Sequence, residues 1–126
     1  MGYSLRLEDL HVYKVAMEIG DMVWVMVNKW NYFEKKTLGS QFVEAADSIA
    51  FNISEGYGRF HFKENKNFCY YSRGSAKETL TAVRKARSRE LISEEECKLL
   101  NEKLDSYFRL VYSYISSIGT SASKID

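Results

Sequence analysis

Regularly spaced basic side chains are the feature of this 126-residue chain with the clearest chemical potential. Residues 59–89 hold nine Lys and Arg against two Glu, a net charge of +7, although the whole chain carries only +1. Cations three or four positions apart share one side of a helix, where they can contact the phosphates of a nucleic acid. Seven residues form the series, which ends at Arg87, and its first six are the candidate binding residues, called the basic stripe below: Arg59, Lys63, Lys66, Arg73, Lys77 and Arg84.

The sequence leaves three uses of the basic stripe open. A run of charge commonly does no more than solvate one face of a helix. A polyanion-binding surface is the second use, with Tyr57, Tyr70 and Tyr71 available to stack on bases. The third is pairing with the acidic side chains of another subunit, which the net negative segment 90–126 can supply.

The same sequence contains no clear catalytic or metal-binding constellation. His11 and His61 are far apart, and neither has a Cys, His or Asp three or four positions away. Cys69 and Cys97 have no neighbouring base to activate them, and isolated cysteines are typical of free thiols in a reducing cytoplasm. The acidic run 94–96 is typical of the first turn of a helix. We therefore expect a cytoplasmic protein that is not an enzyme and uses neither cofactor nor metal.

Residues 52–59, which read Asn-Ile-Ser-Glu-Gly-Tyr-Gly-Arg, predict a corner between two helices. An apolar helical run ends there in two glycines, and glycine tolerates the left-handed backbone that terminates many helices. We therefore predict a positive φ at Gly56 or Gly58. Asn52 and Glu55, about one turn apart on the outgoing helix, are expected to hydrogen-bond in or near the turn.

The corner also carries a family resemblance. Residues 48–59, Ser-Ile-Ala-Phe followed by the corner motif, and then Arg73-Gly74-Ser75 and Glu78, resemble the pattern of the bacterial 23S rRNA intervening-sequence, or S23-type, proteins. The likeness runs from the Leu10 region to residues 92–95. The chain departs from the family at three positions. The family usually has proline at the position of Ala50, arginine at that of Glu44 and glutamate at that of Leu80.

The resemblance implies an all-α, up-down four-helix bundle with no established enzymatic activity. Members are commonly ring-shaped homopentamers, so the first expected partner is the chain itself. A related accessory protein of diversity-generating retroelements shares the fold and binds nucleic acid and a reverse transcriptase. RNA, another nucleic acid or a nucleic-acid-processing protein is therefore the second expected partner.

Apolar periodicity predicts four helices, at about 8–30, 38–55, 62–89 and from 93 onward, with a polar turn at 31–36. The first follows a stripe of Leu10, Tyr13, Met17, Gly20, Trp24, Val27 and Trp30. The second follows Leu38, Phe42, Ala45, Ile49 and Ile53. The last begins with a capping box of Ser93 and Glu96 and continues along a heptad seam of Cys97, Leu100, Leu104, Tyr107, Val111, Tyr114 and Ile118.

Two helices carry a second pattern. In the third, a mostly small-residue series lies about 200° from the basic stripe, which predicts that the stripe faces away from the core; it consists of Phe68, Ser72, Ser75, Thr79, Ala82 and Ala86. In the first, surplus apolar residues flank the stripe, and such a surplus usually marks an interface; they are Val12, Val15, Ile19, Val23 and Met26.

Length and composition predict one all-α domain over 1–126, with a frayed tail at about 119–126. The chain is 45% hydrophobic, 28% charged and free of proline, which favours uninterrupted helices and excludes a disordered chain. We expect more than 60% helix and no strand. No run approaches the roughly 20 apolar residues of a membrane span, so no membrane partner is expected.

Overall fold

The chain folds into a four-helix bundle, seen in a computed structural model that describes residues 6–119. The helices are α1 (His11–Asn28), α2 (Ser40–Tyr57), α3 (Phe62–Ser88) and α4 (Glu94–Ser117), with a short 3₁₀ turn at Leu7–Asp9. Within the described residues 86% are helical and none is in a strand, which confirms the all-α prediction. Apart from Gly119, the tail predicted to fray lies outside the described residues.

Each helix packs against its sequence neighbours, and α4 closes the bundle against α1. The predicted inner face of α2 and the buried part of the α4 seam are confirmed, and one hydrophobic core unites all four helices. Ser72 of α3 ties three helices together at its centre. Its hydroxyl donates to the carbonyl of Ile49 at 2.8 Å and bonds the hydroxyl of Tyr107 at 2.5 Å. All three groups are buried, so an unpaired member would cost about 1–3 kcal/mol.

The buried face of α1 matches the predicted stripe only in part, since four of its seven residues are buried, namely Leu10, Gly20, Val27 and Trp30. Ile19 and Val23 are fully buried in the core, whereas Met17 and Trp24 are 43% and 58% exposed. Because α1 is apolar around most of its circumference, periodicity alone does not select the face that meets the other helices. The surplus apolar surface of α1 therefore lies around Met17 and Trp24. The prediction that placed it at Val12, Val15, Ile19, Val23 and Met26 is wrong.

The segment predicted as a polar turn is largely helical. Tyr32–Glu34 forms a helical turn, and Lys35–Gly39 forms one π-helical turn that leads directly into α2. Leu38 and Gly39 are buried, and a side chain at position 39 would come within 2.8 Å of the Val27 side chain. Close packing against the end of α1 therefore favours helix where the polar sequence predicted a turn.

The buried arc of α3 is wider than predicted. Ser72, Thr79, Ala82 and Ala86 are buried as expected, but three further positions are fully buried, namely Cys69, Ala76 and Val83. They lie closer to the basic stripe, because α3 packs against both α2 and α4. The basic stripe faces away from the core as predicted, with five of its six members exposed, and Lys77 borders α4 at 4.6 Å from the ring centre of Phe108.

Candidate nucleic-acid interface

The basic stripe is a continuous surface feature of the folded protein. Five of its six members are exposed and Lys66 is half-buried. At 1.5 Å per residue the stripe runs about 32 Å along α3 from Lys63 to Arg84. Arg59 lies just before the helix, in the corner that joins α2 to α3. The sequence prediction that these residues share one side of the helix thus agrees with their exposure along one flank.

Along α3 itself, aromatic rings hold two of the stripe's cations in place. The Arg73 guanidinium carbon lies 5.1 Å from the ring centre of Tyr70, and the Lys77 amine lies 4.6 Å from that of Phe108 on α4. Such contacts orient a cation while leaving its positive charge uncancelled. Tyr70 remains 43% exposed beside the stripe, so its ring is accessible to a ligand, whereas Tyr71 lies about 100° further round the helix, 5.4 Å from the Phe68 ring.

Most of the stripe is electrostatically uncompensated. Arg59 pairs with Glu55 at 2.7 Å. Within residues 6–119, no carboxylate lies within 4 Å of the other five members, Lys63, Lys66, Arg73, Lys77 and Arg84. Five cations without an acidic partner within 4 Å favour a positive potential along this flank.

The corner departs from its predicted backbone. Gly56 lies inside α2, and Gly58 ends the helix with a φ of −79°. Within residues 6–119 positive φ occurs only at Glu90 and Gly119, so the prediction for Gly56 or Gly58 is wrong. Gly56 is instead needed for space, because a Cβ there would lie 2.8 Å from the Phe68 Cβ and 3.0 Å from the Asn65 carbonyl oxygen. A Cβ on Gly58 would meet nothing closer than 3.7 Å.

The two polar residues of the corner have different roles. Glu55 accepts a hydrogen bond from Arg59 across the turn at 2.7 Å, as predicted. Asn52 instead donates to the Ser48 carbonyl at 2.9 Å, one turn back along α2. Arg59 also lies 4.8 Å from the centre of the Phe68 ring. The corner therefore fixes the first cation of the stripe between a carboxylate and an aromatic ring.

Phe60 is an interface candidate that sequence reasoning missed. Its side chain is 86% exposed at the tip between α2 and α3, beside Arg59, with its ring edge-on to His61 at 5.1 Å. Exposed aromatic rings next to cations can stack on unpaired bases. Because Phe60 lies outside any helix, it belongs to no periodic pattern, and the only available signal was an aromatic residue in a short loop.

A second distinctive surface lies between α1 and α2. Met17, Trp24 and Phe51 are exposed there, the last by 72%, along two adjoining cavities of about 610 and 260 Å³. Asp47 lines both cavities. Burial, and to a lesser extent the charge of Asp21, raises the pKa of the Asp47 carboxyl. This acid-bearing apolar groove has the character of an association surface.

Three further features concern thiol chemistry, metal binding and membrane insertion. Burial raises the pKa of the Cys69 thiol to about 12, so this thiol stays protonated at neutral pH. Within residues 6–119, no three side chains among His, Cys, Asp and Glu come together in a metal-binding group. None of the helices in this part of the chain is long and apolar enough to cross a membrane.

Comparison with known proteins points to one family. A family model described as 23S rRNA-intervening sequence protein matches residues 8–113, which include the corner and the whole basic stripe. The fold is similar to that of a protein with unknown function from the S23 ribosomal protein family of Bacteroides thetaiotaomicron VPI-5482. The TM-score is 0.75 at 18% identity, over 84% of this chain and 99% of that chain. No curated protein matches the chain.

Proposed function

This chain belongs to the family of 23S rRNA-intervening sequence proteins, and we propose that it is a non-enzymatic, self-associating helical bundle that binds RNA through its basic stripe. The observation that carries the proposal is the uncompensated charge of the α3 flank, where five of six cations lack an acidic partner within residues 6–119. Like charges in a row repel one another and attract a polyanion. The rings beside Arg73 and Lys77 support the proposal by holding these two cations in position along the flank.

Binding would proceed through phosphates and exposed rings. Lysine and arginine on phosphates read charge and carry little information about base sequence, so sequence preference is slight. Each phosphate contact on a single strand contributes about −0.7 to the log–log slope of affinity against salt. Six contacts therefore correspond to a slope of about −4. Phe60 at one end of the stripe, with Tyr70 along it, supplies rings for stacking.

Self-association would use the groove between α1 and α2, with a second copy of the chain as its occupant. Exposed Met17, Trp24 and Phe51 lie together there, and burying large apolar side chains between copies is favourable. The resemblance to a family of homopentamers supports the same expectation. In a ring the basic stripe repeats once per subunit, so individually weak RNA contacts add through multivalency.

The decisive experiment reverses charge in the middle of the stripe. Arg73→Glu with Lys77→Glu is expected to abolish binding of a labelled single-stranded RNA at low salt. Melting temperature and oligomer mass should change little, because both side chains are exposed. The matched control, Lys14→Glu with Arg109→Glu, makes the same charge change at exposed positions on α1 and α4 and should bind almost as well as wild type.

The alternative is a structural protein–protein interaction module whose stripe pairs with acidic side chains. It predicts that the wild-type protein binds no RNA at low salt, or that RNA binding survives the double substitution in the stripe. Competition separates the two functions further. Heparin and RNA should displace each other from an RNA-binding stripe. Self-association is tested separately, by light scattering at micromolar concentration.

A further inference from the structure

A second basic feature lies at the other end of the bundle. Between the π-helical turn that precedes α2 and the end of α3 is a hollow of about 420 Å³. Its polar lining consists of Lys36, Lys85 and Arg89 together with Thr37, Ser40 and Gln41. No acidic residue lines the hollow, so it combines three cations with neutral hydrogen-bonding groups.

This hollow is separate from the basic stripe. Lys85 follows Arg84 in sequence but points about 100° further round the helix, which turns it from the α4 side of α3 towards the α2 side. Lys36 comes from a different segment altogether, the π-helical turn Lys35–Gly39. Cations from two elements therefore converge on one place, which periodicity along a single helix does not produce.

The three cations lack a counter-charge within residues 6–119. No carboxylate there lies within 4 Å of any of them, and Lys36 contacts only an aromatic ring, that of Tyr32 at 5.8 Å. The negative end of the α3 dipole accounts for cations in its last turn. It does not account for Lys36, which approaches from outside the helix, so the convergence is left without a structural reason.

The geometry around Lys36 is held in place by packing. Its π-helical turn is anchored by buried Leu38 and Gly39, and π-helical turns occur frequently at functional sites. The hydroxyl of Thr37 is already used as a donor to the Phe33 carbonyl at 2.8 Å. Ser40 and Gln41 are exposed beside it, so their side-chain donors are available to a ligand.

We propose that this hollow binds a phosphate group, either on a small polyphosphate or at the end of a nucleic acid strand. Arg89 can bond two phosphate oxygens at once through its planar guanidinium, and the two lysines add point charges. Ser40 and Gln41 complete the site as neutral donors. The proposal does not depend on RNA binding by the stripe, because the two surfaces share no residue.

The test uses pyrophosphate as the probe. Titration calorimetry of the wild-type protein should detect binding at millimolar or lower concentration, and saturating pyrophosphate should raise the melting temperature. Lys85→Gln with Arg89→Gln should weaken binding at least tenfold. The matched control, Lys14→Gln with Arg109→Gln, removes the same charge at exposed positions outside both basic surfaces and should leave pyrophosphate binding within about twofold of wild type.

A second variant keeps the test independent of charge and folding. Ser40→Ala leaves every cation in place and should still weaken pyrophosphate binding several-fold, because one donor is lost. Single-stranded RNA with and without a 5′-phosphate separates the two sources of the group. If the Lys85/Arg89 variant loses affinity only for the strand that carries a 5′-phosphate, the hollow binds a strand end. If the variant binds both strands as tightly as wild type does, the hollow binds a small polyphosphate. No pyrophosphate binding by wild type, or equal loss in the Lys14/Arg109 control, would overturn the proposal.

Discussion

The corner between α2 and α3 has two glycines and no left-handed residue, whereas the corner between α3 and α4 has a left-handed residue and no glycine. Glu90 follows the end of α3 with a φ of 59°. The Leu91 N–H donates to the Ala86 carbonyl at 2.8 Å, and the Glu90 N–H donates to the Arg87 carbonyl at 3.0 Å. These two bonds form the Schellman motif that glycine usually completes.

The difference shows that glycine meets two unrelated needs. At Gly56 it provides room for a neighbouring helix, and its backbone stays helical. At Glu90 the backbone adopts the conformation that glycine would ease, and the cost is offset by the bonds that satisfy the last carbonyls of α3. A glycine in sequence therefore indicates either a backbone angle or a close contact, and only the neighbouring helix distinguishes them.

The largest expected effect is at Gly56. Gly56→Val should destabilise the protein by about 3 kcal/mol, because the new side chain overlaps Phe68 and the backbone of Asn65 and forces α2 from α3. Urea unfolding measures the change. Gly58→Val is the matched control, and its open surroundings predict a change of about 0.5 kcal/mol. Equal losses at the two positions would contradict the conclusion that lack of space makes Gly56 necessary.

The start of α4 comes next. Ser93 accepts the Glu96 N–H at 3.0 Å, and the Glu96 carboxylate accepts the Ser93 N–H at 2.9 Å. Ser93→Ala should cost about 1 kcal/mol, since one helix N–H loses its acceptor. Ser88→Ala, at an exposed site near the end of α3, is the control and should be nearly neutral in the same thermal melts. An unchanged stability for Ser93→Ala would mean that water replaces the cap.

A smaller effect of opposite sign is expected at Glu90. Glu90→Gly should stabilise the protein by about 0.5 kcal/mol, because glycine adopts positive φ without the steric cost that a side chain meets. The control is the same substitution at a helical position, Glu95→Gly, which should destabilise the protein by about 1 kcal/mol. Both free energies of unfolding come from chemical denaturation. A loss of stability in Glu90→Gly would contradict the strain assigned to this residue.

The smallest effect depends on pH. The Lys29 amine, 2.8 Å from the Glu96 carboxylate, and the Ser93 backbone N–H lower the pKa of Glu96. Its stabilisation is thus complete above the unfolded-state pKa and disappears as pH falls through the folded-state pKa. Glu96→Gln should cost a few tenths of a kcal/mol at neutral pH, since surface pairs contribute about that much. The melting temperatures of variant and wild type should converge as the pH falls into the acid range. A difference that stays constant with pH would show that the Glu96 charge does not cause it.

The two corners also locate the proposed functions. The α2–α3 corner carries Arg59 and Phe60 at the start of the basic stripe, and the packing of Gly56 against α3 holds that end together. The α3–α4 corner follows Arg89, which lines the basic hollow. Stability measurements on the corner variants and binding measurements on the surface variants therefore probe neighbouring but separable parts of the same structure.

The sequence alone predicted the extent of α3, the capped start of α4 and the buried faces of α2 and α4. Local chemistry is sufficient for these features, because a capping box and a one-sided apolar pattern act within a few residues of the chain. The positions of the basic stripe along α3 were predictable for the same reason. Recurrence every three or four residues puts side chains on one flank whatever packs nearby.

Only the tertiary structure decided which face of α1 is buried, why Gly56 is a glycine, and which helix borders the basic stripe. Each depends on a neighbouring helix. When a helix is apolar around nearly its whole circumference, its sequence does not determine which face is buried, and the packing of the other helices does. In α1, Trp24 is exposed and Val23 is buried. The basic hollow is of the same kind, because it unites Lys36 with Lys85 and Arg89 from a distant part of the chain.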